Sequence, residues 1–141
     1  MSAMFTASVT VAGGREGHVT SSDGKIDLNL SMPKEIGGKG GDGTNPEQLF
    51  AAGYAACFDS ALQLVIGRQK EKEVTGTEVT AEVSLLKDEE DNGFKLGVKL
   101  HVLVNGVSQE RASELVEAAH QVCPYSKATK GNIEVEVSPK T

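Results

Sequence analysis

Two cysteines, Cys57 and Cys123, stand 66 positions apart in the chain, each among apolar residues at helical spacing. A thiol attacks an electrophile only as thiolate, and desolvation raises its pKa, so an apolar site can use such a group only with a cation nearby. Without that cation, both cysteines read as inert buried thiols, small hydrophobes of a core. Arg15, in the glycine-flanked turn GGREGH, is a candidate cation. On spacing alone a solvated surface arginine is the commoner outcome. Glu47, at the start of an apolar helix, reads either as a carboxylate favoured by the helix dipole or as a bidentate partner that fixes the planar guanidinium of Arg15. Spacing leaves both readings open.

Other chemistries find less support. His120 and Cys123, at i and i+3, offer two metal ligands, but no CxxC or HxxxH spacing completes a zinc set, and no metal site is expected. The segment GGKGGDGT precedes a helix, yet it lacks the GK[ST] ending of a phosphate cradle, and no apolar strand runs into it. No GxSxG elbow exists for a serine nucleophile.

The elements that must position these residues follow from periodicity. Phe5, Ala7, Val9 and Val11 alternate with small or polar residues, as do Ile26, Leu28, Leu30 and Met32, which predicts strands separated by the turn Ser22-Asp23-Gly24. Residues 34 to 44, with five glycines, read as a surface loop. A helix then starts, with Asn45 as N-cap before Pro46, or with Thr44 and Glu47 as a capping box. From Leu49 to Ile66 the apolar residues recur at three and four, with small residues in most gaps, so the helix is apolar almost all round. Such a helix needs cover on several sides, and the spacing predicts a buried central helix in a dimer. Thr77 to Leu85 and Phe94 to Val104 alternate strictly across an acidic turn, predicting a long hairpin with one wet face. Ser108 caps a second helix with a buried stripe of Ala112, Leu115, Val116, Ala119, Val122 and Cys123, ended by Pro124. Ile133, Val135 and Val137 make a last strand. The class is α+β, with mainly antiparallel sheets around a central helix, in a single domain over residues 1–141.

Composition narrows the function classes. At 141 residues, 38% hydrophobic and 24% charged, the chain is an ordinary globular domain, and its net charge of -6 with a pI near 5.1 argues against a nucleic-acid partner. The uncharged run of the apolar helix, Gln48 to Phe58, is about half the roughly 20 residues of a membrane span, and the N-terminus lacks a basic then apolar pattern. A cytoplasmic protein with no membrane partner is expected. In that reducing compartment a lone cysteine pair reads as redox-active, catalytic or buried rather than as a permanent staple.

The segments TNPEQLFAAGYAACFDSAL, VCPYSKATKGNIEVEV and GGREGHVTSSDG closely resemble the organic hydroperoxide resistance (Ohr) proteins of the Ohr/OsmC superfamily, over nearly the whole chain. Lys127 stands where that family usually carries Asn, away from the reactive positions. The resemblance implies that Cys57 is the peroxidatic cysteine and Cys123 the resolving one, that Arg15 contacts the thiolate, and that Glu47 holds Arg15. It also implies an intertwined OsmC-like homodimer that reduces organic and fatty-acid hydroperoxides, without a cofactor of its own, using dihydrolipoyl groups of lipoylated proteins, or dihydrolipoamide, as reductant. Phe50, Tyr54, Phe58 and Tyr125, the large side chains nearest these motifs, are candidates to bind the substrate's apolar group, and each reads equally as core packing. Rival readings are a hydrolase or transferase using Cys57 alone and a non-catalytic thiol redox sensor.

Overall fold

Strict alternation in two 13-residue stretches dictates the largest feature of the fold. In the computed structural model, which describes residues 2–141, Gly76–Asp88 (β4) and Gly93–Asn105 (β5) pair antiparallel in continuous register from Gly76 opposite Asn105 to Asp88 opposite Gly93. Because strand side chains point alternately to opposite faces, Val98, Leu100, Val102 and Val104 all fall on one side and are buried. The described residues form two compact units, one up to Leu49 and one from Phe50 to Thr141.

In the first unit, Val9–Ala12 (β1), His18–Ser21 (β2) and Asp27–Asn29 (β3) form an antiparallel sheet in that order. The strands are shorter than the alternation predicts, since Phe5 and Ala7 lie outside β1, and β2 was not expected at all. Among its described hydrophobic residues only Val19 and Leu30 are buried, while Phe5, Val9, Val11 and Leu28 remain exposed. A sheet of three strands of four residues or fewer has too little surface to cover both of its own faces.

Pro46–Arg68 (α1) is a 23-residue helix that begins in the first unit and runs into the second. Its capping ambiguity is resolved by Asn45, whose Oδ1 accepts the backbone N–H of Gln48 at 2.8 Å. Thr44 instead donates its hydroxyl to Gln48 Oε1, so Glu47 has no part in a capping box. By length and composition alone α1 could cross a membrane, which the uncharged-run measure misses because Asp59 interrupts the count. Its Tyr54, Phe58, Ala61, Leu62 and Val65 lie in the core of the second unit. The helix is nonetheless not enclosed all round, for Ala52, Ala56 and Leu64 are exposed. One chain covers one stripe of it.

Gln109–Val122 (α2) opens on Ser108, whose hydroxyl accepts the N–H of Arg111, and buries Ala112, Leu115, Val116 and Ala119. Val122, expected in the buried stripe, is exposed instead. Pro124 does stop α2, but it also starts a short helix, Pro124–Thr129 (α3), since proline at the first helical position gives up an N–H that would have no partner there. Val135–Lys140 (β6) then pairs with β5 in parallel, giving a sheet order β4-β5-β6. The parallel pair departs from an otherwise antiparallel pattern, and it is possible because α2 and α3 supply the long crossover that parallel neighbours require.

The core of the second unit joins α1, β5 and α2, with Cys123 at its edge. Leu100→Ala is expected to cost about 2–5 kcal/mol, while Lys99→Ala, one residue away on the wet face, stays within about 0.5 kcal/mol. Denaturant midpoints of the two variants check this.

Candidate functional site

Two clusters hold the candidate residues. The first is in the N-terminal unit, where the turn between β1 and β2 is a glycine device. Gly13 and Gly14 have φ of 90° and 59°, in the left-handed region, and a Cβ on Gly17 would sit 1.7 Å from the carbonyl oxygen of Ala12. The single turn of 3₁₀ helix at Gly14–Glu16 carries Arg15. Its guanidinium meets the carboxylate of Glu47 in the first turn of α1 through two parallel bonds, Nη1 to Oε1 at 2.7 Å and Nη2 to Oε2 at 3.0 Å. Both groups are only partly exposed. These bonds hold the Glu47 carboxyl below the usual carboxylate range and push Arg15 further above its already high value, so the pair is ionised at neutral pH.

The second cluster brings the two cysteines together. Cys57 lies in the middle of α1 and is half-buried; Cys123 is the single extended residue between α2 and α3 and is fully buried. Their sulfurs are 3.8 Å apart as free thiols. Burial pushes the Cys57 thiol above its ordinary value; the backbone N–H of Tyr125, which favours the thiolate, offsets part of this, and the neighbouring Cys123 adds to the rise. A thiol in this setting is a poor nucleophile until a cation reaches it.

The four aromatic candidates divide. Phe50 and Tyr125 line an open cavity of about 550 Å³, together with Phe94, Leu96, Ala128 and Ile133 and the polar residues Asp88, Lys95, Thr129 and Asn132. Tyr54 and Phe58 are enclosed in the core and do not line it. At i, i+4 and i+8, Phe50, Tyr54 and Phe58 share one stripe of α1, and only its first residue reaches the cavity. Phe50, Tyr54 and Tyr125 pack edge to face or tilted, with centroids 5.6–6.3 Å apart. Gly53 makes this possible: a Cβ there would lie 2.8 Å from the Tyr125 hydroxyl.

Sequence reasoning missed a buried polar cluster beside the cysteines. Tyr54 Oη is 2.8 Å from Ser126 Oγ and 3.3 Å from Thr129 Oγ1, and Ser126 Oγ is 2.7 Å from His120 Nδ1. The signal available is His120, Cys123 and Ser126 at steps of three, of which only His120 and Cys123 enter the sequence reading, as metal-ligand spacing. Phe94, Leu96 and Ile133 were also missed as cavity walls, because they read as plain strand alternation.

Comparison with known proteins places this geometry in a family. The family model described as OsmC-like protein matches residues 38–138. The chain is 59% identical over 133 residues to the organic hydroperoxide resistance protein OhrA of Bacillus subtilis, covering 94% of this chain and 93% of that one. It is also similar to two solved structures. The crystal structure of OhrB from Bacillus subtilis has a TM-score of 0.88 at 53% identity, covering 96% of this chain and 98% of that one. That of an organic hydroperoxide resistance protein from Legionella pneumophila has a TM-score of 0.93 at 50% identity, covering 99% and 100%. The chain belongs to the OsmC-like protein family and groups within it with the organic hydroperoxide resistance proteins.

Proposed function

We propose that this chain is a thiol-dependent peroxidase that reduces organic hydroperoxides, fatty-acid hydroperoxides included, to alcohols. The observation that carries the reading is the approach of Cys57 and Cys123, 66 residues apart in sequence, to 3.8 Å as free thiols. A bond between them needs an S–S distance of about 2.05 Å, so the sulfurs have roughly 1.8 Å to close. Relatives named for organic hydroperoxide resistance support the substrate class.

In the proposed reaction the Cys57 thiolate attacks the distal oxygen of ROOH. The S–O bond forms as the O–O bond breaks, the sulfur is oxidised by two electrons, and the alkoxide takes a proton to leave as alcohol, with Cys57 as sulfenic acid. The Cys123 sulfur then attacks the Cys57 sulfur; a disulfide forms, and the hydroxyl leaves as water with the thiol proton of Cys123. An external dithiol of the dihydrolipoyl type reopens the disulfide by two exchange steps and becomes a disulfide itself. The apolar wall of Phe50 and Tyr125 is suited to the substrate's alkyl chain, and it favours a bulky R group over hydrogen peroxide.

Activation of Cys57 is assigned to Arg15 held by Glu47. The paired guanidinium supplies the charge that burial of the thiol calls for, and it stabilises charge developing on the breaking O–O bond. Glu47 and Cys57 are ten residues apart on α1, about 15 Å of helical rise, so we place the Arg15–Glu47 pair of one chain at the Cys57 of a second copy in a homodimer. The apolar residues exposed on the first unit and on α1, among them Val9, Val11, Leu28 and Leu64, support such a partner. On this reading residues 1–141 act as one Ohr/OsmC-like domain of a cytoplasmic enzyme.

Cys57→Ser is expected to abolish turnover of an alkyl hydroperoxide with dihydrolipoamide, while Cys123→Ser reacts once and leaves a sulfenic acid that a dimedone-type reagent labels. Steady-state assays with dihydrolipoamide, thioredoxin and glutathione as donors check this. Full multi-turnover activity of Cys123→Ser would point to a single-cysteine enzyme, and one peroxide consumed per wild-type chain, even with dithiol, to a sensor.

The pH sign follows from the same electrostatics. Burial raises the Cys57 pKa and a cation lowers it, so Arg15→Ala raises it further, moves the pH profile of thiol alkylation upward and slows the reaction at neutral pH. An alkylation profile identical to wild type removes Arg15 from the site.

Mixing Cys57→Ser with Glu47→Ala, provided the latter is itself severely impaired, and allowing subunit exchange tests sharing across the dimer. Random exchange makes about half the dimers mixed, each with one intact site, so about a quarter of the wild-type sites return if the pair works in trans. No recovery after verified exchange places Glu47 and Cys57 in the same chain's site.

A further inference from the structure

Cys123 is the hinge between two helices. Its backbone N–H closes α2 on Ala119 and its carbonyl opens α3 by accepting from Lys127, yet its own conformation is extended, at φ -67° and ψ 122°. Rotation at this one residue sets the direction of α3 and the reach of the Cys123 sulfur. Pro124, which has no N–H, adds no bond at the joint, and its ring confines Cys123 to the extended region.

The buried polar cluster spans that joint. His120 lies three residues before Cys123 and Ser126 three after it, and the 2.7 Å contact between His120 Nδ1 and Ser126 Oγ closes the hinge from α2 to α3. The same Ser126 oxygen meets Tyr54 Oη at 2.8 Å, three residues before Cys57 on α1. Tyr54 and Ser126 are both almost entirely out of solvent, and no buried side-chain polar atom among the described residues lacks a partner. One hydroxyl therefore ties together the three segments that carry the two sulfurs.

We propose that Ser126, with Tyr54 and His120, positions Cys123 for disulfide closure on Cys57, and so sets the rate of the second chemical step and not of the first. This rests on the peroxidase reading above. In that step the Cys123 sulfur attacks the sulfenic sulfur of Cys57, the S–O bond breaks, and hydroxide leaves as water with the Cys123 proton. The peroxide is already reduced by then. The cluster touches neither reacting sulfur in this step; it acts through the hinge, holding Cys123 within reach.

The experiment is a single peroxide pulse on reduced protein, following peroxide loss, dimedone-reactive sulfenic acid and Cys57–Cys123 disulfide separately. Ser126→Ala is expected to consume the first peroxide at the wild-type rate and to form the disulfide about 25-fold more slowly, about 5-fold for each of the two hydrogen bonds lost. His120→Ala slows the same step, and His120→Asn, which keeps a polar atom where Nδ1 stood, restores most of it; this pair carries the test where Ser126→Ala is too unstable to assay. Disulfide formation at the wild-type rate in the Ala variants overturns the proposal, as does equal slowing of both steps. If wild type itself forms no disulfide after the pulse, the peroxidase reading fails as well, an outcome visible without any variant.

Discussion

The cost of a thiolate in apolar surroundings organises this protein. Cys57 is set in the middle of a core-forming helix, where burial favours the neutral thiol, and only a backbone N–H from Tyr125 favours the charged form. Apolar cover suits a reaction with an organic hydroperoxide, but the same cover suppresses the nucleophile unless a cation is delivered. On the proposed reading Arg15 is that cation, and its orientation is fixed. Arg15 sits in a turn shaped by left-handed glycines, and its planar fork is aligned by both oxygens of Glu47. A lysine would keep the charge and lose the fixed orientation.

Glu47 can hold Arg15 because it is released from the helix start. Asn45 alone caps α1, and Thr44 is occupied with Gln48. Had the capping box formed, the carboxylate would reach back to the backbone of its own helix and the guanidinium would lack its bidentate partner. A local choice between two caps thus decides whether Arg15 has its bidentate partner. Gly53 is a second case, where absence of a single methyl makes room for the Tyr125 ring beside α1.

Much of this was legible in the sequence, and what was not has definite reasons. The β4–β5 hairpin, α1 and α2 are long and strongly periodic, so pattern alone located them and the Ser108 cap of α2, while the cap of α1 stayed open between Asn45 and Thr44. Short elements escaped: β2 has one buried residue, Val19, and α3 has six residues, too few for either to show a period. Alternation at Val135 and Val137 marked a strand but could not say that its neighbour would be β5 or that the pair would be parallel, which depends on the crossover through α2 and α3. The family was legible from its long motifs, and the comparisons bear it out. Arg15 and Glu47, 32 residues apart, left both readings open, with the solvated arginine the commoner one, because spacing carries no information on a contact made through a turn and a helix end. Among the aromatic residues, Phe50, Tyr54 and Phe58 share one helix stripe, and which of them reaches a cavity depends on where α3 lies.

That dependence on α3 explains why a polar cluster stands in the core at all. Apolar packing against α1 would hold α3 by area, with little preference for one direction over another, and would do so without desolvating two hydroxyls and an imidazole. Hydrogen bonds are directional, and a satisfied buried set rigidifies the elements it joins where a partly satisfied one destabilises them. In this chain the cluster is satisfied, and it lies where direction matters: Cys123, at the joint between α2 and α3, stands 3.8 Å from Cys57, which on the proposed reading is near enough to close a bond and far enough to leave the thiol free for peroxide. Packing could bring the two segments together. Setting the angle between them falls to Tyr54, Ser126 and His120.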